Sequence, residues 1–351
     1  MQNGLKITMS SRMAVKTIAA ALDRTALRIP DRIAVVSASP EFLMKTLTPT
    51  DSDDINGSLP LSRYSYDDFR DKTNRMAGFL RLYGYEENDV MISDMPNVAE
   101  NLILQIACNR IGVTYATAKG LEGMAKLNKV KGSVCASGTG FLAETNLSLP
   151  YLSGEFLLDL IHGTSGSSNN SLFGLDEFDL EDNEQDDRSS EDSENTFGLP
   201  PHAFYNNTTP FTNQEALEMG AEAAWETAMI EEDVVCVAIT LCHGFGMGSA
   251  VCSTLQEGAT LVLPSVGGIR GCGVPSKRAE ATLSVLESEQ CTLLFADKHT
   301  IKAMPDEPSL SPGRLSLKGG VCKIASGSQY LDEIVMFGGA SLKTLGSIAK
   351  E

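Results

Sequence analysis

The sequence predicts an α/β fold, parallel-sheet layers flanked by helices. From 14 to 116, and again from 205 to 304, short apolar runs alternate with amphipathic stretches of helical period. That is the rhythm of βαβ units, in which parallel strands are joined by helical crossovers. The third observation is composition. The chain has 351 residues, 42% hydrophobic and 21% charged, which is long and apolar enough to bury a large core.

Ala14 to Arg28 is the first helix, with Ile18, Ala21, Leu22 and Leu27 leaning to one side and Pro30 ending it. Arg32 to Val36 reads as a buried strand, and Ala38 to Ser62 as a polar loop with Asn56-Gly57 as a turn signal. Ser65 to Tyr83 is the clearest helix. Ser65 and Asp68 give a capping-box-like start, Phe69, Met76, Leu80 and Tyr83 fall on one face, and Gly84 stops it. Val90 to Ser93 is a strand, Asn97 caps a helix running to Ile111, and Val113 to Ala116 is the next strand. Pattern weakens from Ala118 to Gly163.

Structure resumes with a helix over Gln214 to Met229 and a strong strand from Val234 to Leu241. A short helix from Gly248 to Gln256 and a strand from Ala259 to Leu263 follow. An amphipathic helix spans Lys277 to Glu289, and strands cover Thr292 to Ala296 and Ile334 to Phe337. No repeat at a fixed period is visible.

The net charge of -18 argues against nucleic acid as a partner, because phosphate-backbone binding needs Lys and Arg clusters. Eleven of the acids lie between Asp176 and Glu194 with one Arg, a local net of -10 that leaves -8 for the rest. Residues 173 to 197 are of low complexity and read as an exposed, disordered acidic insertion. The sharper alternative, a metal loop, lacks the Gly and terminal Glu spacing of a calcium site. The eight cysteines contain no C-x-x-C pair and several sit in apolar runs, so they read as small buried hydrophobes in a reducing compartment. A catalytic thiol has no visible partner. No apolar run reaches the roughly 18–20 residues that span a bilayer. Residues 1–13 are disordered or the start of a transit segment, since Lys6, Arg12 and Lys16 stand without an acid in the first 22 residues. An intracellular protein of cytoplasm or mitochondrion is expected.

Four blocks in order carry a resemblance. Ala26-Leu-Arg28-Ile-Pro30-Asp31-Arg32-Ile-Ala-Val is similar to an A-x-R-x-P-D-R-x-A-V opening. Tyr64-Ser-Tyr66-Asp-Asp-Phe with Asn74-Arg75-Met-Ala77 resembles Y-T-Y-x-E-L followed by N-R-L-A. Asn88-Asp89-Val90, Pro96-Asn97-Val-Ala-Glu100 and Ala107 to Gly112 resemble G-D-x-V, P-N-x-x-E and A-x-x-x-x-G-A. Asp233, Leu241-Cys242-His243-Gly-Phe-Gly246 and Leu255 to Pro264 resemble D, P-L-x-H-x-x-G and L-x-x-G-A-x-x-V-L-P. As a set they resemble the acyl-adenylate-forming superfamily of acyl-CoA synthetases, luciferases and peptide-synthetase adenylation domains. The blocks cover roughly 14 to 116 and 205 to 304.

The resemblance implies the large N-terminal domain of that superfamily, in incomplete form, over residues 14–351 with the insertion at about 169–197. It implies activation of a fatty or other carboxylic acid by ATP and Mg2+, then transfer to coenzyme A. Such chemistry needs a Gly/Ser/Thr-rich loop and a Lys around the triphosphate. Thr164, Ser165, Gly166, Ser167 and Ser168 resemble the first half of that loop. Gly198-Leu-Pro-Pro201-His202 resembles the second half, with Pro201 where the Lys belongs. Two readings stand: a phosphate loop split by the insertion, or a plain linker. Asn213 falls where the family often has Asn.

The resemblance further implies that His243, with Gly244 and Gly246, lines the acyl pocket. A merely packed or capping His is the alternative, and small glycines admit a ligand or a helix. Gly338, Gly339 and Ala340 resemble the family's G-G-A-P-L, which borders the adenine. An ordinary strand-to-helix glycine turn is the alternative. The family's later motifs, a Y-G-x-T-E block and a lid domain with its catalytic Lys, have no counterpart before Glu351. The expectation is therefore an acyl-CoA synthetase-like protein with impaired or absent activity as written. The alternative is a non-catalytic acyl-binding or assembly subunit with the same fold, to which a protein partner would belong.

Overall fold

A computed structural model of the chain describes residues 15–39, 60–117, 127, 129–136, 149–163, 202–206, 208–241, 243–264, 275–304 and 314–347. The acidic insertion, residues 1–13 and Thr164 to Ser168 lie outside the described residues.

The strands in chain order are β1 (Ile33–Ala38), β2 (Leu61–Ser65), β3 (Val90–Ser93), β4 (Thr114–Ala116), β5 (Val130–Cys135), β6 (Tyr151–Ser153), β7 (His202–Asn206), β8 (Thr209–Thr212), β9 (Val234–Ala238), β10 (Thr260–Val262), β11 (Leu293–Asp297), β12 (Gly319–Lys323), β13 (Gln329–Phe337) and β14 (Ala340–Gly346). The helices are α1 (Ile18–Arg28), α2 (Tyr66–Leu82), α3 (Ala99–Arg110), α4 (Gly154–His162), α5 (Asn213–Glu226), α6 (Cys252–Glu257), α7 (Pro275–Ser288) and α8 (Lys298–Ala303), with a π-helical turn over Gly244–Val251.

Two sheets form. The larger has the order β13-β14-β12-β11-β9-β10-β1-β2 and the smaller β6-β5-β3-β4-β7-β8. Inner pairs are parallel. The antiparallel pairs lie at the edges, β1 with β2, β13 with β14 and β7 with β8. Parallel strands covered on both faces read as continuous apolar runs, which is why β9 and β11 were legible.

The main core lies between the sheets. It joins Val35, Val235, Leu293 and Phe295 of the larger sheet to Met91, Tyr115 and Phe204 of the smaller through α1, α2, α3, α5 and the π turn. A second core under α7 covers the outer face of the larger sheet with Val36, Cys236, Ala238, Leu294, Ala296 and Cys322. Helix α3 is buried from Ala99 to Asn109, including Glu100, Asn101 and Gln105. The cysteines among the described residues are buried and form no disulfides.

Several expectations need correction. Asn97 does not cap α3, whose N-cap is Val98 without a side-chain bond. Tyr83 leaves the buried face of α2 and stacks on Phe79 at 5.3 Å. Leu27 is exposed, because the buried stripe of α1 stops at Ala26. The weak stretch before Gly163 holds β5, β6 and α4, and the expected polar loop ends in β2.

Candidate functional site

Strands β10, β9, β11 and β12 are parallel neighbours, so Val262, Ala238, Asp297 and Lys323 end along one rim of the larger sheet. Open α/β sheets bind ligands outside such carboxyl ends. Beyond β9 the chain turns through Ile239, Thr240 and Leu241 toward His243. Asn97, which follows β3 of the other sheet, clamps this turn. Its amide Nδ2 donates to the Ile239 carbonyl at 2.8 Å, and its Oδ1 accepts from the Leu241 N–H at 3.2 Å. The rim is thus pinned from both sheets.

His243 is the N-cap of the π-helical turn. Its Nδ1 accepts from the Phe245 N–H at 3.1 Å, which leaves the proton of a neutral ring on Nε2. Gly244 and Gly246 follow inside the turn. A Cβ on Gly246 would lie 2.1 Å from the Thr240 carbonyl oxygen, and one on Gly244 would lie 3.0 Å from the Phe211 ring. Their small size therefore admits the protein's own backbone and an aromatic ring. π segments cluster at functional sites because the wider turn re-aims side chains.

One further turn at this rim was not singled out from sequence. Lys323 ends β12, and Ile324-Ala325-Ser326-Gly327-Ser328 follows it with Ala325 to Ser328 exposed. The Lys323 ammonium lies 5.7 Å from the Phe245 ring centroid and donates to the Gly327 carbonyl at 2.7 Å. Phe245 in turn packs on Phe295 of β11 at 5.8 Å. Burial pushes the Lys323 ammonium below the ordinary lysine value. The signal was present, as an apolar Val-Cys run before a Gly/Ser turn. Gly319-Gly320 at its start disguised the strand.

Gly338, Gly339 and Ala340 are not brought to this rim. Phe337 pairs with Ala340, and both glycines have positive φ, +58° and +79°, so they form the two-residue turn of a β-hairpin rather than a strand-to-helix turn. Because β14 runs parallel to β12, a turn at the start of β14 lies at the opposite rim from His243. There Gly338 packs beside Leu315 and Leu317, which lead into β12. The overlooked clue is the alternation of buried Ala340, Leu342 and Thr344 with exposed Ser341 and Lys343, a period of two.

A cavity of about 320 Å³ opens elsewhere, lined by Thr17, Asn109, Arg110, Gly112, His202 and Asn213 among others. It lies by the starts of β4 and β7 in the smaller sheet and includes none of the rim residues. A buried polar cluster stands apart as well. Glu100 is fully buried, and its Oε1 accepts from the Tyr64 hydroxyl at 3.1 Å and meets His162 Nε2 at 2.8 Å. Burial, reinforced by the Glu100 charge, pushes the Tyr64 phenol well up. Among the described residues no group of three or more His, Cys, Asp or Glu is placed to hold a metal ion. No helix there is long and apolar enough to cross a membrane.

No protein-family model and no curated protein matches the sequence. Solved structures do. The N-terminal domain of FACL13 from Mycobacterium tuberculosis has a TM-score of 0.63 at 12% identity, covering 95% of this chain and 76% of that one. A Mycobacterium tuberculosis fatty acyl CoA synthetase has a TM-score of 0.60 at 14% identity, covering 89% and 55%. The O-succinylbenzoate coenzyme A synthetase MenE of Bacillus subtilis, solved in complex with AMP, has a TM-score of 0.55 at 13% identity, covering 86% and 66%. The chain thus spans 55% of that fatty acyl CoA synthetase's length. From these likenesses and the strand order, the chain has the α/β fold of the N-terminal domains of acyl-CoA synthetases.

Proposed function

We propose that the protein binds a carboxylic acid and its adenylate at the carboxyl rim of β9 to β12, as an acyl-CoA synthetase-like domain. The observation that carries this is the meeting of two turns on that rim, His243 to Gly246 after β9 and Ala325 to Ser328 after β12, joined by Lys323. The first turn serves the acyl part and the second, in place of Gly338 to Ala340, the nucleotide. ATP, Mg2+ and coenzyme A enter by family resemblance, with Thr164 to Ser168 as the triphosphate loop. Magnesium in such sites rides largely on substrate phosphates, with one or two carboxylates from the protein.

A second reading is binding without turnover, as a non-catalytic acyl-binding or assembly subunit. What favours it is Pro201 at the place of the loop's Lys, next to a segment of net charge -10. Such a field weakens binding of a polyanion. Titration calorimetry with AMP and a non-hydrolysable acyl-adenosine sulfamate, beside ATP–pyrophosphate exchange over short to long acids with and without residues 169–197, separates the two. Exchange supports the enzyme. Analogue binding without exchange supports the second reading. Neither binding nor exchange defeats both.

A further inference from the structure

We propose that Lys323 is the residue that receives the negative charge of the bound adenylate, its ammonium contacting the phosphate that joins the acyl and adenosine parts. This rests on the adenylate-binding reading above and adds a residue to it. The phosphate loop implied by the family blocks has Pro201 where its Lys belongs, so the charge must be met from elsewhere in the chain.

Lys323 shares its side of β12 with Val321, which belongs to the core between the sheets, so it faces the π-helical turn. From there it touches both rim turns at once, lying over the Phe245 ring of one and donating to the Gly327 carbonyl of the other. In an acyl adenylate the acyl and adenosine parts are separated by one anionic phosphate. A cation that bridges the acyl-side turn and the nucleotide-side turn therefore stands where that phosphate must lie.

Its bonding leaves capacity for the contact. An ammonium has three donors, of which the Gly327 carbonyl takes one. Among the described residues no carboxylate forms an ion pair with Lys323. Asp297, the register partner of Lys323 on β11, is engaged by Arg278 at 2.9 Å and caps α8. A half-buried cation without a counter-ion is costly, and burial accordingly pushes its ammonium down. An anionic ligand would repay that cost, which is why perturbed groups of this kind gather at binding sites. Lys298, which follows β11, sits by Cys322, whose side chain belongs to the outer-face core.

The test compares AMP with adenosine, which differ by the phosphate alone, on the full chain by titration calorimetry. Lys323→Met keeps the stem over Phe245 and removes the charge. It should weaken AMP about ten-fold or more while leaving adenosine unchanged, and Lys323→Arg should restore most of the AMP affinity. A second measurement on the unaltered protein covers the case in which the variants fold poorly. AMP, but not adenosine, should slow labelling of Lys323 by an amine-reactive reagent, followed by mass spectrometry. Equal AMP affinity in the parent and K323M, or no protection by AMP in a protein that binds it, overturns the role of Lys323 and leaves the binding site standing. A parent chain that binds neither AMP nor adenosine overturns both.

Discussion

At the scale of single residues, the turn carrying His243 depends on one missing methyl group. Gly246 has ordinary negative-φ backbone, so its requirement for glycine comes from approach. The Thr240 carbonyl oxygen occupies the place of a Cβ at 2.1 Å and its carbon at 2.9 Å. Backbone atoms held by the Asn97 clamp cannot retreat as a flexible side chain would. Gly246→Ala should therefore cost about 1–3 kcal/mol and displace His243. Gly248, two residues on, makes the control. Its nearest neighbour is the Met219 sulfur at 3.0 Å, which can swing aside, so Gly248→Ala should cost under about 1 kcal/mol. Thermal unfolding of the two variants side by side checks this, and equal melting temperatures would remove the packing account of the turn.

At the scale of elements, three helix ends meet on one asparagine. Asn213 begins α5, and its Oδ1 accepts from the Ile18 N–H of α1 at 3.0 Å and from Asn109 Nδ2 of α3 at 2.8 Å. Asn109 Oδ1 in turn accepts from the Ala19 N–H at 3.0 Å. The first orphan donors of α1 are thus satisfied by side chains from two other helices, in addition to its own cap Thr17. Asn213→Ala should destabilise the protein by about 1–3 kcal/mol. Hydrogen exchange should quicken at Ile18 while α7 keeps its protection. Unchanged exchange at Ile18 would show that the latch contributes nothing.

The same elements show what sequence could reveal. Helices α1, α2 and α5 were legible because each repeats its apolar residues at the helical period, and strands β3, β9 and β11 because each carries an unbroken apolar run. Strands β5 and β12 were not, since Lys131-Gly132-Ser133 and Gly319-Gly320 dilute the β signal that parallel pairing later supplies. The helix expected over Gly248 to Gln256 is a π turn followed by α6, a difference local periodicity cannot express. His243 could be singled out as a candidate because it follows the strongest strand. The hairpin at Gly338 to Ala340 was not legible because a Gly-Gly pair after a strand looks alike whether a helix or a second strand follows.

At the scale of the whole molecule, burying titratable groups fixes how stability must vary with pH. Burial raises the thiols of Cys108, Cys236, Cys252 and Cys322, the last to about 12, above an ordinary value of 9.0. Burial also leads the rise of the phenols of Tyr64, Tyr66, Tyr85 and Tyr330 above an ordinary 10.0. A raised folded value means that the folded state keeps protons the unfolded chain has lost. The stabilisation is complete below the unfolded value and falls as pH rises past it. Lys323, pushed down from 10.5, acts in the opposite sense but is a single group. Stability should therefore be insensitive to these groups up to about pH 9. Beyond it, each thiol that has become ionised in the unfolded chain removes up to about 1.4 kcal/mol per pH unit, and the phenols add their share above about pH 10. Four thiols make a fall of roughly 5 kcal/mol per unit as an upper bound, comparable to the whole stability of an ordinary domain. Unfolding by urea in reducing buffer, repeated from pH 7 to 10.5, should show a level midpoint and then a steep decline. A midpoint that stays level to pH 10.5 would mean that these thiols reach water in the folded protein, and the two-sheet core enclosing them would have to be redrawn.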